Sequence, residues 1–112
     1  MGLRKQLLGE NHPDYALSLN NLAFLYKYQG KYEQAQPLYE KALQLRKQIL
    51  GENYPDYALS LNNLAFLYKY QGKYEQAQPL YEKALDIAER VLGTNHPNTV
   101  TIQENLEILR AK

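Results

Sequence analysis

The sequence contains no cysteine, no tryptophan and no apolar run close to the length of a membrane-spanning helix. Without cysteine, a disulfide framework, a thiolate zinc site and a thiol nucleophile are excluded. A helix that crosses a bilayer needs about 20 consecutive apolar residues, so we expect a soluble protein without a membrane partner. An apolar secretion leader is also lacking, which favours a reducing, cytoplasmic setting.

An excess of charge of one sign is lacking as well. The 13 Lys and Arg residues face 12 Asp and Glu residues, which leaves a formal net charge of +1. Proteins bind duplex nucleic acid and anionic membranes through concentrated positive charge. We therefore expect no nucleic-acid partner. Tyrosine is abundant instead, with 11 Tyr beside 2 Phe, and this predicts half-exposed aromatic packing surfaces in a thin fold.

The sequence repeats itself with a period of 42 residues. Residues 9–43 and 51–85 differ only where His12 corresponds to Tyr54, and a diverged third copy begins at Gly93. A period of about 20 to 50 residues indicates a solenoid, in which each unit buries its apolar face against its neighbours. We divide the single domain, residues 1–112, into four segments. These are the end of a preceding helix B (1–8), repeat 1 (9–50), repeat 2 (51–92) and helix A of a partial repeat 3 (93–112).

Proline and glycine divide each repeat into two helices. Pro13 suits a first helical turn, and apolar residues then recur at spacings of three and four, which predicts helix A over residues 13–28. Gly30 interrupts this pattern. Helix B is predicted over residues 32–50 and ends at Gly51. The short connections predict antiparallel hairpins, so the expected fold class is all-α.

Leucine, small residues and tyrosine recur at a characteristic spacing in both copies. In repeat 1 they are Leu19, Leu22, Ala23, Tyr26, Gly30, Tyr32, Ala35, Tyr39, Ala42 and Leu43. On these residues the sequence resembles the tetratricopeptide repeat family, and its 42-residue unit is similar to the repeat of kinesin light chains. The resemblance implies a right-handed α-solenoid of helix-turn-helix hairpins. It also implies a protein-binding scaffold without a cofactor.

Side chains that support catalysis occur only in repeated structural positions. The two serines, Ser18 and Ser60, are equivalent residues of the two helices A, and His12 and His96 lie in equivalent His-Pro turns. Tyr54 replaces histidine in the middle copy, which indicates that neither imidazole chemistry nor metal binding is required there. We therefore predict no enzyme, no metal site and no cofactor.

Helix A carries a second face beside its packing stripe. In tetratricopeptide proteins this face lines the concave groove, and the resemblance implies that it contacts a peptide. Paired amides can bond to an extended backbone, aromatic rings provide rigid apolar contact and lysine attracts carboxylates. The expected partner is thus a protein or peptide segment with acidic and aromatic residues. The predicted groove residues are Leu17, Asn20, Asn21, Phe24, Lys27, Tyr28, Leu59, Asn62, Asn63, Phe66, Lys69, Tyr70 and Asn105.

A structural interpretation is open for part of this face. Asn21 and Asn63 could instead form hydrogen bonds between neighbouring helices, and Phe24 could belong to the core. In the third copy Asn105 is retained but Glu104 replaces the other amide, which weakens the groove there.

A competing function is structural. Both ends resemble cuts through a longer array, because Leu3, Leu7 and Leu8 belong to a half-helix and the third copy has no helix B. Another copy of the chain could cover the apolar surface at either end. This alternative predicts self-association into a spacer or head-to-tail array without a dedicated peptide ligand.

Overall fold

The computed structural model describes residues 13–112, which fold into helices joined by short turns and contain no strand. The helices are α1 (Pro13–Tyr28), α2 (Tyr32–Leu50), α3 (Pro55–Tyr70), α4 (Tyr74–Leu92) and α5 (Pro97–Arg110). The predicted bounds of helix A and helix B in repeat 1 coincide with α1 and α2. The predicted helix end at residues 1–8 lies outside the described residues. The all-α, right-handed solenoid is confirmed.

Each hairpin depends on small residues where its two helices meet. Ala23 of α1 and Ala35 of α2 are fully buried, as are the equivalent Ala65 and Ala77 of the second hairpin. Without larger side chains at these positions, the helix axes can approach closely. The hairpins then stack, since α2 packs on α3 and α4 packs on α5. This stacking brings the three helices A, which are α1, α3 and α5, to the same side.

The face of α5 that points away from repeat 2 differs from the same face of the preceding helices A. Gln103, Glu107 and Arg110 are exposed on it, and they occupy the positions at which α3 has the buried residues Leu61, Ala65 and Tyr68. Arg110 also pairs with Glu82 of α4 at 3.0 Å. The face of α5 that would contact a following helix B is therefore polar, although Val100 and Ile108 remain exposed beside it.

Candidate groove and junction pocket

A pocket of about 290 Å³ lies where repeat 1 meets repeat 2, a boundary that we call the first junction. Helices α1 and α3 supply most of its wall, and α2 contributes two side chains from behind. Six of the predicted groove residues lie together here. The lining residues of this junction pocket are Leu17, Asn20, Asn21, Phe24, Tyr39, Arg46, Leu59 and Asn63.

Arg46 places a buried positive charge at the junction pocket. Only 8% of the residue is exposed. One terminal nitrogen, Nη1, donates to the Ser60 hydroxyl at 3.0 Å and to the backbone carbonyl of Asp56 at 3.2 Å. Burial lowers the pKa of Arg46, and the more distant Asp56 carboxylate partly opposes this shift. No carboxylate in the described part of the chain forms an ion pair with Arg46, and its Nε and Nη2 groups therefore remain available to a ligand.

Asn20 lies beside this charge with its amide group unpaired. The residue is 6% exposed, and its Oδ1 and Nδ2 atoms are both buried without a hydrogen-bond partner among the described residues. A buried amide without a partner loses the hydrogen bonds that water would provide, which costs about 1 to 3 kcal/mol. Buried unpaired groups of this kind are uncommon in folded proteins. A ligand that bonds to Asn20 would remove this cost.

Aromatic rings from both repeats surround Lys27 at the edge of the groove. Its Nζ atom lies 4.9 Å from the ring centre of Phe24, 4.5 Å from that of Phe66 and 5.6 Å from that of Tyr70. We call these three rings and Lys27 the lysine cage. Phe66 meets Tyr70 edge to face at 4.8 Å, and Tyr70 stacks on Tyr32 at 6.1 Å. The cage therefore joins α1 to α3 through side chains.

The lysine cage opens onto a second pocket, of about 320 Å³, whose lining includes Tyr28 and Tyr32. Tyr28 is 82% exposed. Burial lowers the pKa of Lys27, and no carboxylate of the described residues forms an ion pair with it. Lys69, the equivalent residue of repeat 2, contacts only Phe66, at 5.3 Å. A single positive charge surrounded by rings thus marks this edge of the groove.

At the boundary between repeat 2 and α5, which we call the second junction, two asparagine side chains form a hydrogen bond. Asn105 donates from Nδ2 to the Oδ1 atom of Asn62 at 3.1 Å. A hydrogen bond between neighbouring helices thus occurs, but it joins Asn62 to Asn105 and not Asn21 or Asn63, for which the sequence left this interpretation open. For Phe24 the structural interpretation is wrong, because the ring is exposed rather than part of the core.

Three residues that line the two pockets were not among the predicted groove residues. Tyr32 and Tyr39 were assigned to helix packing only, and Arg46 was not considered. The position of Arg46 in the sequence could have indicated its role. It lies four residues after Ala42, on the packing side of helix B, where the second copy has Ala88. A charged residue on an apolar face is rarely buried without a role.

The catalytic and metal interpretations gain no support from the geometry. Ser60 is buried and accepts the bond from Arg46. His96 caps α5, since its Nδ1 atom accepts a hydrogen bond from the backbone N–H of Asn98 at 3.1 Å. Residues 13–112 contain no group of three or more His, Asp or Glu side chains placed to hold a metal ion. No helix within this range combines the length and the apolar character needed to cross a membrane.

Comparison with known proteins identifies the family of this chain. The sequence model of the tetratricopeptide repeat family matches residues 1–48, 14–89 and 56–111. The chain belongs to the tetratricopeptide repeat family. Comparison with curated proteins gives no match.

Two solved structures have the same fold as this chain. BtubC (BKLC) from P. vanneervenii superposes with a TM-score of 0.85 at 30% sequence identity, over 97% of this chain and 43% of BtubC. A kinesin light chain-like protein of Podosopora anserina, which has nearly identical TPR-like repeats, superposes with a TM-score of 0.88 at 25% identity. That match covers 96% of this chain and 51% of the other. The chain thus spans about half the length of these proteins or less.

Proposed function

We propose that this chain is a non-catalytic interaction module that binds an extended, acidic peptide segment at the first junction. The observation that carries the proposal is the buried guanidinium of Arg46, which borders the junction pocket and has no acidic partner among the described residues. A cation in this state is costly to bury alone, and a ligand carboxylate that pairs with it would offset that cost. The proposed ligand therefore carries at least one Asp or Glu.

The rest of the groove suits the backbone and an aromatic side chain of such a ligand. The unpaired amide of Asn20 can both donate to and accept from a peptide group. The exposed rings of Phe24, Tyr28 and Tyr70 provide apolar contact close to the charge of Lys27. Tetratricopeptide repeats generally mediate protein interactions, which agrees with this use of the surface. The cytoplasmic location of the chain is still only a prediction from its sequence.

Fluorescence anisotropy with a labelled pentapeptide, DDYDD, tests the proposal. We expect binding that weakens with added salt, because the contact is between charges. Arg46→Met keeps an apolar side chain of similar length but removes the charge. Loss of a charged hydrogen bond of roughly 1.5 to 3 kcal/mol corresponds to about 10- to 100-fold weaker binding.

Two controls separate the site from general charge effects. Arg90 on α4 pairs with Asp86 and Asn53 at the surface, outside the lining of the junction pocket, so Arg90→Met should bind DDYDD as the unaltered chain does. The uncharged peptide NNYNN should bind far more weakly than DDYDD. Equal loss of affinity in Arg46→Met and Arg90→Met would contradict the proposal.

Self-association is the second candidate, and one observation favours it. Leu25 of α1 is 49% exposed, whereas the identical Leu67 of α3 is fully buried under repeat 1. The exposed face of α1 therefore matches a face that a repeat of this type can cover. The other residues proposed for assembly, Leu3, Leu7 and Leu8, lie outside the described residues. The polar face of α5 does not favour assembly from that side.

Light scattering over a concentration series tests this candidate. Assembly through α1 should give a mass that grows with concentration, and Leu25→Gln should reduce that growth. Gln48→Ala on the exposed face of α2 serves as the control, since it alters a surface position away from α1. A constant monomer mass for the unaltered chain would eliminate the candidate.

A further inference from the structure

The two junctions differ at one pair of buried positions. At the first junction Arg46 of α2 donates to Ser60 of α3, which is fully buried. At the second junction the equivalent positions hold Ala88 of α4 and Ile102 of α5, both buried in one apolar cluster. At the first junction helix B carries the large side chain and helix A the small one, and at the second junction this order is reversed. The combined volume of the two side chains is therefore similar at both junctions, but only the first pair carries a charge.

The frame around this pair is largely the same at both junctions. Pro97 and Asn98 begin α5 as Pro55 and Asp56 begin α3, so the second junction retains a backbone carbonyl where Arg46 finds that of Asp56. Six of the eight wall positions of the junction pocket carry identical residues at the second junction: Leu59, Asn62, Asn63, Phe66, Tyr81 and Asn105. The second junction lacks the guanidinium and the serine that holds it, and it has Thr101 where the first junction has Leu59.

The asparagine side chains at the two junctions differ as well. At the second junction Asn62 is bonded to Asn105, whereas at the first junction the equivalent Asn20 has no partner. Asn20 has a buried amide without a partner among the described residues, whereas the Oδ1 atom of Asn62 already accepts a bond from Asn105. Among the described residues, the first junction thus has a cation without an acidic partner and an amide without a hydrogen bond, whereas the second has no cation and its two amides bond to each other.

We propose that the pair at positions 46 and 60 selects the junction that binds a carboxylate, with Ser60 as the positioning residue for Arg46. Ala88 and Ile102 make the second junction a structural copy of the same pocket. The described residues thus offer one acidic-peptide site, and each further Arg–Ser junction of this type would add one. This inference rests on the proposed function.

Moving the pair between junctions tests the inference with the labelled peptide DDYDD. The variant Arg46→Ala with Ser60→Ile copies the second junction into the first and should bind at least about 10-fold more weakly. Adding Ala88→Arg and Ile102→Ser to it should restore binding to within about 10-fold of the unaltered chain. A merely structural role of these residues cannot produce such a regain. A four-position variant that folds, judged by circular dichroism, and stays unable to bind overturns the inference.

A second measurement keeps the inference testable if the four-position variant does not fold. Ala88→Arg with Ile102→Ser in the otherwise unaltered chain should raise the number of DDYDD peptides bound by one, and an unchanged number overturns the inference. If the unaltered chain does not bind DDYDD, the proposed function fails by itself. The pairing is then judged by urea unfolding of Arg46→Ala, Ser60→Ile and the double variant. Single effects that simply add contradict the pairing, and a double variant more stable than their sum supports it.

Discussion

The ammonium nitrogen of Lys27 lies 4.5 Å from the centre of the Phe66 ring, across the boundary between two repeats. Each residue belongs to a copy of the same 35-residue sequence, yet only Lys27 is surrounded by three rings. The equivalent Lys69 contacts one ring, because Ile108 and Lys112 occupy the positions that Phe66 and Tyr70 occupy next to Lys27. Identical repeats therefore acquire different properties from their neighbours.

Lys27→Met should lower the free energy of unfolding by about 1 kcal/mol, because a half-buried cation in contact with aromatic rings contributes about that much. Methionine keeps most of the apolar contact and removes the charge. Lys69→Met is the matched control and should cost less, since it loses one ring contact. Urea unfolding of both variants provides the comparison, and equal costs would mean that the cage adds no stability.

Tyr81→Phe should raise the free energy of unfolding by about 1 kcal/mol. The Tyr81 hydroxyl is buried without a hydrogen-bond partner, and the cost of burying an unpaired polar group disappears with it. In contrast, the Tyr68 hydroxyl accepts a weak bond from Gln36 Nε2 at 3.4 Å, so Tyr68→Phe should be neutral or slightly destabilising. Thermal unfolding distinguishes the two, and destabilisation by Tyr81→Phe would show that its hydroxyl is bonded.

Stability should fall as the pH rises above 10. Burial raises the pKa of Tyr39 to about 12, and burial together with Tyr70 raises the pKa of Tyr81. An unfolded tyrosine loses its proton near pH 10. Between about pH 10 and 12 the unfolded chain therefore binds fewer protons than the folded chain, so the free energy of unfolding decreases with pH. Below about pH 10 these two groups add no pH dependence.

Urea unfolding between pH 8 and pH 11 measures this decrease. Tyr39→Phe should flatten it, since each tyrosine with a raised pKa contributes up to about 1.4 kcal/mol per pH unit. Gln48→Ala is the control, because Gln48 is exposed and carries no titratable group, and it should leave the slope unchanged. Parallel profiles for the unaltered chain and Tyr39→Phe would contradict the assignment.

Gly51→Ala should cost roughly 1 to 3 kcal/mol. Gly51 ends α2 with φ 88° and ψ 166°, a conformation that is nearly restricted to glycine. An added Cβ would meet no atom within 4 Å, so the cost comes from the backbone alone. Gln48→Ala, on the exposed surface of the same helix, should change stability by no more than about 0.5 kcal/mol. Similar effects in the two variants would indicate that the turn adapts.

The fold was predictable from the sequence because its signals are local. Pro55 and Gly51 mark a helix start and a helix end by their backbone geometry, and these constraints act in every environment. The helix bounds of repeat 1, 13–28 and 32–50, follow from such residues together with the apolar spacing.

The site was less predictable because it forms between repeats. Asn20 and Asn62 have the same sequence neighbours, but one is unpaired and the other bonds to Asn105. The role of Arg46 depends on Ser60, 14 residues away and in the next hairpin. Helix periodicity assigns a residue to a face of its own helix, and it contains no information on which side chain of the next repeat lies opposite.

The amide pair at the second junction has a consequence for the history of the chain. Because Asn20 and Asn62 meet different partners, mutation at the two positions has different effects on stability, and the same holds for Lys27 and Lys69. Selection on structure alone would let such positions drift apart over time. Their identity across residues 9–43 and 51–85, apart from His12 and Tyr54, is therefore not required by their structural surroundings, and it is what a recent duplication predicts.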